Sequence, residues 1–437
     1  MRRDWQAWLI GGAMAAGSLV GILTPAGLGW DFANFYDAGR RVLSGQARDL
    51  YDPAQDIGGE PPQGRQRFYG TPISAVLYAP MGALAPSHAL VAFKIQNVAA
   101  LALTFFALYR FYRRLLPRGD PDDEHRFLSW FLGMCLLFQP FWTIFRVGGQ
   151  TTPTALVLVV AAMVLHTSGR SWGAAAFVVA AALIKPALAP AVLCLVVLAG
   201  WRLARAIGVC GLAAGVISIG AMGLEVHRQF LERLLQSTGE TWSWHYNSSV
   251  FIVLDNLRAW AAPGPESAVA VLFSLLGWLL VAGAVVVVAV LARAGRNRDW
   301  TDPARRHFHF MLALLFFLLS SRTIWEHYLA FLFPWLVLVA VRGEALGRAA
   351  RLTLLATLGL SIFQNFIFTD WLRSAFAITS LPALMAAALY KSGPLLLSAL
   401  LALRYRAEWL GIYASPAWQG LAASAIAIAE PRRRIPQ

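Results

Sequence analysis

The residues able to do chemistry gather first in one stretch. WDFANFYDAGRRVLSGQARDLYDP, residues 30–53, places Asp31, Asp37, Asp49 and Asp52 directly after an apolar opening. An ionised carboxylate within hydrogen-bond reach of a hydroxyl can take its proton as the oxygen attacks, a contribution of about 10²–10⁴ in rate. The same residue type also caps helices and makes turns. Asp31 suits the start of a short helix over 34–43, and Asp52 before Pro53 reads as a turn. Further along lie Arg146, Gln150, Lys185, His245, Asn247, Arg322, Glu326 and His327. A phosphate would find a two-pronged donor in arginine and a point charge in lysine. A base, several cations and many aromatics together suit a substrate made of a sugar, an anionic phosphate and a long apolar tail. HExxH, Walker and dinucleotide motifs are absent. Cys135, Cys194 and Cys210 sit in apolar runs without ligand spacing, so neither a metal nor another cofactor is expected. His88 and His166 receive no role.

The elements that must position these groups are membrane helices. Of the 437 residues 58% are hydrophobic and only 14% charged, with a mean hydropathy of +0.57. A soluble chain of this size has no interior large enough for so much apolar surface. Runs such as 155–165, 271–291 and 310–319 predict an all-α polytopic membrane protein with short outer loops that carry amphipathic helices. The net charge of +14 does not point to nucleic acid. Its arginines fall in short clusters between apolar runs, which is the positive-inside pattern. The first run, 7–24, follows Arg2 and Arg3 without a convincing cleavage site and is expected to stay as the first span.

Sides assigned by Arg and Lys alternate consistently. Loop 25–70 falls outside, as does a second region, 224–250, where residues 225–236 have helical amphipathic spacing. Arg110, Arg113, Arg114, Arg170, Arg305 and Arg306 fall inside, as does Lys391 in a turn between two spans. The run 71–86, punctuated by Pro72, Pro80 and Pro86, reads as re-entrant or interfacial. Lys185-Pro186 interrupts 172–198, either as an outer elbow between two short spans or as a buried lysine in one long span. Counting gives about 12–14 crossings in one domain over 1–430, then a basic cytoplasmic tail, 431–437. This topology puts Asp31, Asp37, Arg146, Gln150, Lys185, His245, Asn247, Arg322, Glu326 and His327 on one side, where a shared cavity would relieve the cost of their charges.

Five stretches in this order, the segment from Asp31 to Pro53, FYGTPISAVLYAP, VGGQTTPTALVLV, AAALIKPALAPAVL and SSRTIWEHYLAFLFPW, resemble glycosyltransferase family 87. The resemblance implies a GT-C transmembrane bundle and a polyprenyl-phosphate sugar donor, with mannose the first candidate and arabinofuranose the alternative. It also implies an extracytoplasmic site in a bacterial inner membrane, inversion at the anomeric carbon, and a glycolipid or glycan acceptor. By resemblance Asp31 is the catalytic base, and Asp37 orients the helix or the acceptor. The Gly-Gln turn falls on Gly149 and Gln150, the Lys-Pro elbow on Lys185 and Pro186, and the late histidine on His327. Relatives often carry paired histidines after a tryptophan, where this chain has Trp325, Glu326, His327 and Tyr328. A monomer among membrane lipids is the expected state. A transporter or flippase of a lipid-linked sugar is the competing class, although no internal repeat supports it.

Overall fold

In the computed structural model the described residues are 30–52, 68–116, 121–146, 149–239, 247–261, 267–294, 302–342, 347–362, 381–404 and Trp418. The expected first span, 7–24, and the basic tail lie outside them. The chain is an all-α polytopic membrane protein. In order its helices are α1 (Trp30–Leu43), α2 (Pro72–Gly82), α3 (Pro86–Arg113), α4 (Pro121–Leu137), α5 (Gln139–Arg146), α6 (Thr152–Thr167), α7 (Ser171–Ile184) and α8 (Ala189–Leu198). Next come α9 (Trp201–Met222), α10 (Leu224–Gly239), α11 (Ile252–Ala261), α12 (Ala268–Ala294), α13 (Pro303–Ser320), α14 (Phe333–Arg342), α15 (Gly347–Ile362) and α16 (Leu381–Arg404). The only β pairing among the described residues is an isolated bridge between Asn247 and Trp325.

Four helices there are long and apolar enough to cross a membrane, within α3, α9, α12 and α16, and a fifth if the bent pair α4–α5 counts as one span. Shorter apolar helices fill the bundle between them. The outer faces of α9 and α12 expose Leu212, Val216, Trp278 and Leu279. In a chain of this composition such faces meet lipid. At the centre is α13, buried on nearly every side from Pro303 to Leu319, the pattern of a helix enclosed by its neighbours.

Two ends of the bundle can be told apart. With 16 residues, α6 is about 24 Å long at the usual helical rise. It begins beside Gln150 and ends at His166, near Arg306. α13 runs the opposite way, from Arg305 to Ser320. α3 spans the same depth, with Phe93 against Phe32 of α1 at one end and Tyr112 bonded to His307 of α13 at the other. The arginine-rich turns therefore lie about one bilayer's depth from Asp31.

The outer layer over this bundle is built by aromatic packing. Phe32, Ala33 and Tyr36 of α1 join Tyr78 of α2 and Phe93 of α3 in a small second core. α1 and α2 cross closely because Gly39 and Gly82 have no side chains. A Cβ on Gly82 would stand 2.5 Å from the Arg40 nitrogen, and one on Gly39 would strike the Tyr78 carbonyl. Within the stretch 71–86, residues 72–82 thus form a helix with Pro72 in its first turn, one face against α1 and Val76 and Leu77 left exposed on the other. α10 is the anticipated amphipathic helix, with Arg228 paired to Glu225 and Glu232 on its exposed face.

Two expectations are corrected. The helix expected over 34–43 already includes Trp30, so Asp31 lies in its first turn and does not cap it from outside. Lys391 does not mark a turn between spans. It sits within α16, buried and ion-paired with Glu326, so the two share one depth. A buried carboxylate stabilises a lysine inside an apolar helix, an outcome that reading sides from single charges overlooks.

Candidate active site

Asp31 is the first polar group of α1, and two breaks in the bundle bring partners to it. The first is the turn before α6. Gly149 adopts φ +100°, where side chains are strained, and a Cβ there would lie 2.5 Å from the Cβ of Phe32. Glycine allows the turn to sit directly against α1, and the amide of Gln150 donates to the Asp31 carboxylate. The second is the elbow after α7. Lys185 leaves the helix at φ −132°, ψ 86°, and Pro186 has no N–H to continue the ladder. The Leu183 carbonyl is taken up by the hydroxyl of Thr71 at 2.6 Å, which ties the start of α2 to the elbow.

The Lys185 side chain is buried, and its ammonium rests 4.1 Å from the ring centre of Tyr328. A cation over an aromatic face is attracted by the ring's quadrupole. The same ammonium acts electrostatically on Asp31 and on His327. Burial raises the Asp31 carboxyl from 3.8 to about 6, while the Lys185 charge and the Gln150 hydrogen bond pull it down. As a residue, Asp31 is nevertheless only partly buried.

A helical turn over Glu326–Leu332 carries three of these groups. Glu326 pairs with Lys391, His327 lies edge-on to Tyr328 at 4.8 Å, and Tyr328 holds Lys185. The His327 Nε2 is buried and makes no hydrogen bond among the described residues. Just before this turn Arg322, about one-third exposed, pairs with Asp255 of α11 at 3.0 Å. Asn247 is fully buried and laces its segment to this one. It donates to the Arg322 carbonyl at 3.2 Å and accepts from the Ser249 and Ile324 N–H groups at 3.0 Å each.

The structure therefore joins Asp31, Gln150, Lys185 and His327, adds Tyr328, and sets Arg322 and Glu326 on the same segment as His327. Asp37 lies apart. It is buried, bridges to Arg41 at 2.8 Å, and borders a polar groove with Arg40, Ser44 and Gln46. Asn247 has its amide committed to backbone, which makes it a positioning residue here. His245 and the side chain of Arg146 lie outside the described residues. Tyr328, Asp255 and Lys391 were not singled out by sequence. An apolar groove between α4 and α15, lined by Trp130, Gly133, Met134 and Leu358, includes none of these groups in its lining. The string Gly169 to Gly173 also fits GxSxG, but it joins two helices and has no strand before it, unlike a hydrolase elbow. Among the described residues no group of three or more metal-ligating side chains occurs.

No curated protein and no solved structure matches this chain. A family profile does match, that of Glycosyltransferase family 87, over residues 68–321. The matched stretch holds Gln150 and Lys185 and stops short of His327, while Asp31 precedes it. With more than half of its length matched and a membrane bundle to carry the site, the chain belongs to glycosyltransferase family 87.

Proposed function

We propose that this glycosyltransferase moves a sugar, mannose first among the candidates, from a polyprenyl-phosphate donor to a hydroxyl of a glycolipid or glycan acceptor. The reaction takes place on the extracytoplasmic face of a bacterial inner membrane. What supports this reading is one grouping: a partly exposed carboxylate poised near neutral pH, held by an amide and facing a buried lysine. Asp31 removes the acceptor's proton as the oxygen attacks the anomeric carbon from the face opposite the phosphate. The new C–O bond forms as the bond to the phosphate oxygen breaks, and polyprenyl phosphate leaves with inversion. Lys185, together with Arg322 on the segment that leads to Tyr328, offsets the growing charge on the leaving phosphate. The arginine-rich turns at the far end of the bundle support this sidedness, since cytoplasmic loops carry an excess of Arg and Lys.

The deciding experiment incubates the purified full-length protein with labelled polyprenyl-phosphate mannose, the arabinofuranose analogue and an acceptor panel. Transfer from the mannosyl donor, lost in Asp31→Asn by at least about 10²-fold while folding is retained, is the expected result. Near-parental transfer by D31N removes Asp31 from the base role. Transfer from the arabinofuranosyl donor alone corrects the sugar. Movement of the lipid-linked sugar across a vesicle without any transfer replaces the reading by transport.

A further inference from the structure

Three neighbouring polar groups, one on the Lys185 elbow and two on the Glu326–Leu332 turn, make no hydrogen bond among the described residues. The Lys185 ammonium is the first. Its side chain is buried, 5% exposed, yet it donates no hydrogen bond and forms no ion pair there, resting instead on the face of the Tyr328 ring at 4.1 Å. The His327 Nε2 is the second, in an equally buried ring set edge-on to Tyr328 at 4.8 Å. The third is the hydroxyl of Tyr328, a half-buried residue whose Oη neither donates nor accepts among the described residues. All three are held in place by groups other than themselves. The Tyr328 N–H bonds the Trp325 carbonyl at 2.7 Å, and the ring packs against Phe317 with centres 6.1 Å apart. The Glu326–Lys391 pair anchors the start of the turn, and the Thr71 hydroxyl holds the Leu183 carbonyl at the elbow.

An ammonium carries three donors, and an aromatic face attracts its charge without taking up those N–H groups as an oxygen would. Buried donors left in this state are stabilised by an anion. The hydroxyl sits on the rim of the ring whose face carries the ammonium, so two oxygens of one phosphate can meet both, each at an ordinary bond length of about 2.8 Å. We propose that Tyr328 is a phosphate-binding residue of the transferase: its ring fixes the Lys185 ammonium, and its hydroxyl donates to a second oxygen of the same donor phosphate. His327 offers the next donor along the turn. The assignment rests on the polyprenyl-phosphate donor of the proposed reaction. As the sugar leaves, the phosphate gains negative charge, so the bond from the tyrosine hydroxyl strengthens during the chemical step.

Two variants separate the hydroxyl from the ring. Full-length protein in neutral detergent is titrated with polyprenyl phosphate and, as a control for the tail alone, with polyprenol, and binding is read as a rise in Tm. Tyr328→Phe keeps the ring under Lys185 and should unfold like the parent without ligand. Its half-saturation by polyprenyl phosphate should move about tenfold higher, the loss of one charge-assisted bond. Tyr328→Leu removes ring and hydroxyl together and should weaken binding further. With polyprenyl-phosphate mannose, kcat/KM should fall in Y328F by at least the same factor while the acceptor KM stays unchanged. Polyprenyl phosphate binding that is unaltered in Y328F, or that polyprenol matches, overturns the assignment and leaves the transfer reading standing wherever the parent transfers sugar. Binding that depends on the hydroxyl, in a protein that transfers no sugar from this donor, supports the phosphate contact and removes the proposed transfer instead.

Discussion

In the proposed reaction Asp31 acts through what surrounds it. With its carboxyl raised to about 6, a base at this position is ionised at neutral pH and still takes up a proton readily. Transfer should therefore fall as pH drops below about 6, with the rate following the ionised fraction. Both listening partners favour the ionised form, Lys185 more strongly than Gln150. Lys185→Met should move the acid limb of the pH–rate profile to higher pH, and Gln150→Ala should do so by less. A profile that stays in place in both variants would detach these residues from the base. For stability the sign is opposite. A carboxyl raised on folding favours the folded state at low pH, and that contribution is lost as pH rises from 3.8 towards 6. Asp31, Gln150 and Lys185 were legible because each is an isolated polar residue at the edge of an apolar run. Tyr328 and Asp255 were not. An aromatic ring under a lysine leaves no trace in hydropathy, and a partner 67 positions from Arg322 leaves none in local spacing.

At the scale of elements, turns and buried pairs set the site's geometry. Gly149→Ala would force a Cβ into Phe32 and strain a backbone at φ +100°, a cost of about 1–3 kcal/mol. We expect a lower Tm together with a fall in kcat, since the turn presents Gln150 to Asp31; unchanged thermal unfolding would mean the turn relaxes freely. The turn over Glu326–Leu332 depends on Lys391. Lys391→Met leaves Glu326 buried without its partner and should cost about 3–5 kcal/mol in unfolding experiments. The double change E326L/K391M should recover most of that loss, because a matched apolar pair needs no compensation. Equal stability of the single and double variants would argue against the pair. The break at Lys185-Pro186 and the amphipathic α10 could be read directly from residue order. The depth of Lys391 could not, since a lone lysine between apolar runs fits a loop as well as a paired site within a helix.

Across the whole molecule, α3, α6 and α13 separate two chemically distinct ends. Cysteines placed at exposed Arg40 and exposed Arg170 should react with a membrane-impermeant maleimide from opposite sides. R40C should label in intact cells, and R170C only after permeabilisation. Labelling of both from one side would collapse the two-ended arrangement. Composition made the membrane bundle plain, because 58% hydrophobic residues have nowhere else to go. Short helices such as α7 and α8, which meet at a break, are what make crossings hard to count from the chain alone.

That break carries a last implication. A lysine on a continuous helix near a membrane surface can stretch its four-carbon arm towards water. Here the ammonium is pinned to Tyr328 and the backbone beneath it is locked through Thr71 to a different helix. The charge has no freedom to travel. For the lipid-phosphate donor proposed above, binding means sliding sideways and sinking to the level of the lysine, so donor entry, more than the chemistry itself, is the step that bilayer thickness would govern.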